Sequence, residues 1–166
     1  MKLLIKLPLM AMLAVFTLFS CTTDSLEEKA DAIELSLTTT PETKPIEVQI
    51  LELINNHRLS IGLNPLADMT LIKSVAYTHT DYMVDNNEVS HANFYKRSDY
   101  LKSNAGAKKV SENVAYGYTS AESVVRAWLK SESHKMNIEG DYTNFGVSAE
   151  ESELGKWYYT NIFIKK

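Results

Sequence analysis

The chain has 166 residues, with 17 lysines and arginines against 21 aspartates and glutamates, 4 histidines and 1 cysteine, for a net charge of −4. That acidic balance, with no cluster of basic residues, excludes the electrostatic footprint that nucleic-acid binding requires. A lone cysteine excludes an internal disulfide, so the fold must be held by a packed core.

The first twenty residues, MKLLIKLPLMAMLAVFTLFS, are two lysines within a long apolar run that carries no acid. This is the charged n-region and apolar h-region of a secretory signal, and it is short for a membrane span. The competing readings are a permanent anchor helix or a buried first helix of the fold. Leu18-Phe19-Ser20-Cys21 argues against both, because it resembles a bacterial lipobox, although Phe19 is bulkier than the usual occupant. The resemblance makes Cys21 the first residue of the mature protein and the carrier of its lipid. The expected partner is therefore a membrane, and the expected location is the extracytoplasmic side of the cell envelope. More than one acyl chain would hold the protein there stably. Loss of Lys2 and Lys6 leaves 15 basic residues against 21 acids, a net charge of about −6.

Residues 22–45, TTDSLEEKADAIELSLTTTPETKP, are polar and end near two prolines. They read as a tether after Cys21 with a reach of roughly 25–30 Å as flexible coil. The folded domain is expected over 46–166. Ile46, Ile50, Leu51 and Ile54 recur at helical spacing, with Pro45 at a tolerated first-turn position and Gly62 as a stop. LNPL at 63–66 reads as a turn. A second helix should carry Met69, Ile72, Val75, Ala76, His79 and Met83 on one side and end at Asp85-Asn86-Asn87. A shorter helix is expected around Asn93–Ser103. Thr119-Ser-Ala-Glu122 reads as a capping box that opens a helix with Val124, Val125, Trp128 and Leu129 on its apolar face. Phe145–Ala149 and Lys156–Ile164 are β-branched and aromatic around a polar EESELG, which predicts a hairpin, and Val110 with Asn113–Tyr116 suggests another strand. Helices followed by an antiparallel pair make an α+β domain, with helices on a small sheet.

The stretches ILELINNHRLSIGLNPL, AYTHTDYM, VSHANFYKR, SENVAYGYTSAESVVRAWLKSESHKMNI, YTNFGVS and WYYTNIF together resemble the bacterial branch of the CAP superfamily. These are the SCP/PR1-like domains of cysteine-rich secretory proteins, antigen 5 and pathogenesis-related 1. The resemblance covers essentially all of 46–166 and is most specific from Glu112 to Ile138. It implies a three-layer α-β-α sandwich. It also implies a cleft built from two histidines and one or two glutamates, here His91 in SHANF, Glu112 in ENVAYG and His134 in KSESH. Ser111 stands where a glycine usually precedes the first glutamate. Ser131 stands where the eukaryotic branch keeps its second glutamate. Glu132 lies one position off, about a hundred degrees around a helix, and reads as a solvated turn residue.

His91, Glu112 and His134 are 21 and 22 residues apart, unlike a local metal motif, so only the resemblance brings them together. Converging, they form the candidate ligand-binding or catalytic set. His91 and His134 are candidate ligands for a divalent metal such as zinc, and without metal the same groups would serve as general acid and base. Each has a bland alternative: His91 bonding backbone in a loop, Glu112 sitting at a strand edge in solvent or bonding the His91 ring. Arg97 is expected to pair locally with an acid such as Asp99, Asn113 to hold backbone, and His79 to be a satisfied, partly buried histidine. His57 reads as helix surface or a tertiary hydrogen bond, and Tyr116 and Tyr118 as packing. No serine sits in a nucleophile-elbow pattern and no phosphate-binding glycine loop is present. Two functions are expected. One is binding of an unknown small-molecule, lipid or peptide ligand. The other, ranked lower because one candidate acid is missing, is a metal- or His/Glu-dependent hydrolase.

Overall fold

A computed structural model describes residues 41–166. The expected signal segment, Cys21 and the tether up to residue 40 lie outside the described residues. Residues 42–44 already touch the domain: Lys73 Nζ donates to the Glu42 carbonyl (3.0 Å) and to Thr43 Oγ1 (2.7 Å), and Lys44 pairs with Glu150.

Helix α1, Pro45–Ser60, begins with proline at its first position. There the missing N–H costs nothing, and Glu47 Oε2 accepts from the Lys44 N–H at 2.8 Å. A two-residue strand β1, Ala67–Asp68, follows the LNPL turn; its brevity hides it from any periodicity. Helix α2, Thr70–Asp85, buries Ile72, Val75, Ala76, His79 and Met83 as its spacing predicts, and also Lys73. Helix α3, Phe94–Ala105, is entered through Asn93 in the left-handed region (φ 57°) and left through Gly106 (φ 68°). Strand β2, Lys109–Tyr116, leads to helix α4, Ala121–Lys130. Its cap is Ser120, one residue later than expected: Ser120 Oγ accepts from the Ser123 N–H, and Ser123 Oγ from the Ser120 N–H, both at 3.2 Å. The pattern expected at Thr119 loses because serine at both ends makes the reciprocal pair one register on. Backbone extension at Ser131 (ψ 121°) breaks the helix, and α5 restarts over Glu132–Ile138. Strands β3, Asn144–Glu151, and β4, Trp157–Lys165, form the expected hairpin.

The sheet runs β1-β3-β4-β2, with β1 parallel to β3 and the other pairs antiparallel. Helices cover both faces, which makes the three-layer α-β-α sandwich. On one face Ile50 and Ile54 of α1, Val124, Val125 and Trp128 of α4 and Ile138 of α5 meet Phe145, Val147, Tyr159 and Phe163. On the other, Ile72, Val75 and Ala76 of α2 and Leu101 of α3 meet Ile162 and Ile164. Gly146 lets α2 lie directly on β3, since a Cβ there would fall 2.5 Å from the Lys73 nitrogen.

Two sheet edges are closed by side chains. Beyond β1, the Ala149 N–H of β3 donates to Glu47 Oε1 at 3.0 Å. On β2 the Val114 carbonyl accepts from the Trp128 indole (3.1 Å) and the Glu112 carbonyl from Asn137 Nδ2 (3.3 Å). Among the described residues no helix is long and apolar enough to cross a membrane.

Candidate functional site

Alternation along β2 aims Glu112 and Val114 at the α2–α3 layer and Asn113 at the α4–α5 layer. Glu112 is buried. Its Oε2 accepts from Arg97 Nε at 2.8 Å, and its Oε1 from Arg97 Nη2 at 2.8 Å and from His91 Nδ1 at 2.9 Å. The guanidinium therefore grips the carboxylate at both oxygens, the geometry for which arginine is suited. Arg97 Nη1 donates to the Ala92 carbonyl at 2.7 Å, which ties α3 to the loop that carries His91. Burial alone would raise the Glu112 carboxyl. The hydrogen bonds from His91 and Arg97 and the charge of Arg97 outweigh it, so Glu112 is held below the usual carboxylate value.

His91 is joined to Glu112 rather than to loop backbone, and its side chain is 52% exposed. A carboxylate can only accept, so Nδ1 donates to it and Nε2 is the nitrogen turned away from Glu112. His134 stands on the first turn of α5, half-buried. Burial, and then the charge of nearby His91, lower its pKa, which keeps the ring neutral at pH 7. Its position is set through its backbone: Asn113 Nδ2 donates to the His134 carbonyl at 3.1 Å, and Asn137 Nδ2 donates to Asn113 Oδ1 at 2.8 Å. Asn113 thus holds backbone as expected, and the backbone it holds is that of the second histidine.

The structure brings His91 and Glu112 into one hydrogen-bonded unit with His134 in electrostatic range. It adds Arg97, which the sequence reading paired with Asp99. Asp99 is instead 70% exposed and bonds Lys102 at 3.3 Å. Neighbours two apart on a helix face different ways, whereas β2 carries Glu112 to the buried side of α3. His79 is buried and satisfied, its Nε2 donating to the Ser90 carbonyl at 2.7 Å. His57 donates to Glu139 at 2.8 Å, a tertiary hydrogen bond. Tyr116 packs one face on Tyr158 (4.8 Å) and leaves the other exposed. Glu132 opens α5 rather than a turn, and is exposed.

As a metal site the constellation falls short. Among the described residues no three His, Cys, Asp or Glu side chains are grouped to hold an ion. Glu112 is committed to Arg97 and His91, so His91 and His134 offer two imidazoles where catalytic zinc has three protein ligands.

Comparison with known proteins agrees with the fold. The model of the family described as CAP, the cysteine-rich secretory protein family, matches residues 51–163. The uncharacterized membrane protein YlbC of Bacillus subtilis is 35% identical over 124 residues, 72% of this chain and 34% of that protein. The uncharacterized protein YkwD of the same organism is 38% identical over 111 residues, 64% of this chain and 43% of that protein. The chain thus spans well under half the length of either relative. Among solved structures, an outer surface protein of Borrelia burgdorferi superposes with a TM-score of 0.68 at 22% identity, over 77% of this chain and 98% of that one. An extracellular SCP-domain protein of Bacillus anthracis superposes with a TM-score of 0.64 at 27% identity, over 76% of this chain and 45% of that one.

Proposed function

Because the chain belongs to the CAP, cysteine-rich secretory protein, family, we propose that it is an envelope-anchored domain that binds an extracytoplasmic ligand in a cleft between His91 and His134. The observation that carries this reading is the state of Glu112. Both of its oxygens are occupied, one by Arg97 and one by Arg97 and His91, and it is buried. A carboxylate so held is a poor general base, because taking a proton would break its pairing with Arg97. Its role is to orient the His91 ring through Nδ1, which leaves Nε2 free of Glu112. Beside it a neutral His134 offers one donor and one acceptor. Two oriented imidazoles bind a ligand bearing hydroxyl, amide or carboxyl groups without any bond being made or broken. Anchoring would come from lipid on Cys21. Location at the envelope is supported by the names of the relatives, one a membrane protein, one an outer surface protein and one extracellular.

The test is thermal denaturation of the full chain in detergent against short peptides, cell-wall fragments and fatty acids, with products followed by mass spectrometry. One class should raise the melting temperature in proportion to the logarithm of its concentration, with no new mass. The His91→Ala/His134→Ala double variant should lose the shift. Turnover that disappears with His134→Ala would replace binding with hydrolysis. Cys21→Ser should release the protein from the membrane fraction; its retention there would remove the lipid anchor.

A further inference from the structure

Behind the His91 loop, between α2 and α3, lies a cavity of about 220 Å³ lined by Thr78, His79, Tyr82, Ala92, Lys96 and Arg97 among others. Neither His91, Glu112 nor His134 lines it. One wall is the Tyr82 ring, which keeps 40% of its surface exposed and is backed by the buried His79 ring stacked with it at 5.9 Å and 13°. The charges there are unequal. Arg97 is neutralised by its two-point pairing with Glu112, whereas Lys96 forms no ion pair among the described residues, each of the nine such pairs involving other cations. His79 adds no positive charge. Its Nε2 proton is given to the Ser90 carbonyl, and burial, then the charge of Arg97, keep the ring neutral.

We infer that this cavity is a second binding site, for a small carboxylate with one planar ring, whose ring lies on Tyr82 and whose carboxylate meets Lys96. Size supports the class. An engineered apolar cavity of about 150 Å³ accommodates benzene, so the volume here suits one ring and a short polar group. Flat apolar walls with a few placed polar groups are what small-ligand sites share. An ammonium with no competing acid is the partner a carboxylate requires.

The probe is benzoate, followed by broadening of its ring-proton NMR signals on the full chain, with benzamide as the uncharged analogue and acetate as the ringless one. Benzoate should bind, with benzamide and acetate each much weaker. Lys96→Gln, a change at a partly exposed position that leaves the fold intact, should weaken benzoate roughly ten-fold, the loss of one charge-assisted hydrogen bond. Thr78→Met should fill the space and abolish binding. His91→Ala/His134→Ala should leave binding unchanged, which separates this site from the cleft. The inference is overturned if benzoate does not broaden, or if benzamide or acetate binds as well. It is equally overturned if Lys96→Gln makes no difference or if the double histidine variant abolishes binding.

Discussion

Two buried glutamates sit on opposite sides of the sheet and are treated in opposite ways. Glu47 accepts from the Lys44 and Ala149 N–H groups and lies 2.9 Å from Lys73 Nζ, whose side chain is itself only 6% exposed. Glu112 accepts from Arg97, equally buried, and from His91, which is half in solvent. Both are charges withdrawn from water and matched by a cation, which is the condition for tolerating them at all. The difference is where the last partner ends. At Glu47 the charged partner, Lys73, is internal, so the pair clamps the entry of α1 to β3 and α2. At Glu112 one partner, His91, reaches the surface, so the same chemistry is carried outward to where the ligand is proposed to bind. A buried ion pair is thus closed or open according to whether one of its members reaches the surface.

The largest expected effect breaks the closed member. Glu47→Ala leaves Lys73 buried without its counter-charge and frees the Ala149 N–H, and should cost about 4 kcal/mol in urea unfolding. Glu112→Gln should cost less, about 2–3 kcal/mol, because the amide keeps one acceptor for Arg97 while leaving its charge unmatched. A loss equal to that of Glu47→Ala would mean that the two networks are the same kind of clamp. Acid should separate them further. His79 and His134 have pKa values below the histidine reference of 6.5, so the unfolded chain binds protons that the folded one refuses. Stability should fall as pH drops below about 6.5, a slope measurable by unfolding at pH 7.5, 6.5 and 5.5. Glu112 adds a second loss at lower pH: its depressed pKa stabilises the fold above the reference 4.5, and that contribution goes as pH falls through its folded value. Smallest is His91→Ala, which removes an exposed partner and should change stability by less than about 1 kcal/mol. A larger loss would make His91 a structural residue after all.

How much of this is legible in the chain differs by element. The stripes of α1, α2 and α4 and the terminal hairpin are periodic and fall where the spacing puts them. His91, Glu112 and His134 are found through motif resemblance, because nothing in spacings of 21 and 22 residues shows convergence. Arg97, Lys73 and Glu47 escape. Arg97 reads as half of a local pair with Asp99 and the other two are not singled out, because each true partner is 15 to 26 positions away, a pairing that exists only once the sheet is assembled. The restart of the helix at Ser131 escapes too, since a single extended residue leaves no mark on an apolar pattern.

The side chains along the outer strands have a consequence for company. A four-stranded sheet ordinarily presents two lengths of unspent backbone to which a neighbouring copy can add a strand. Here Trp128 and Asn137 occupy carbonyls on one border and Glu47 an amide on the other. Another copy of the chain that meets either border finds those groups already spent. The indole of Trp128, whose bulk anchors the core, also keeps those encounters from becoming a shared sheet.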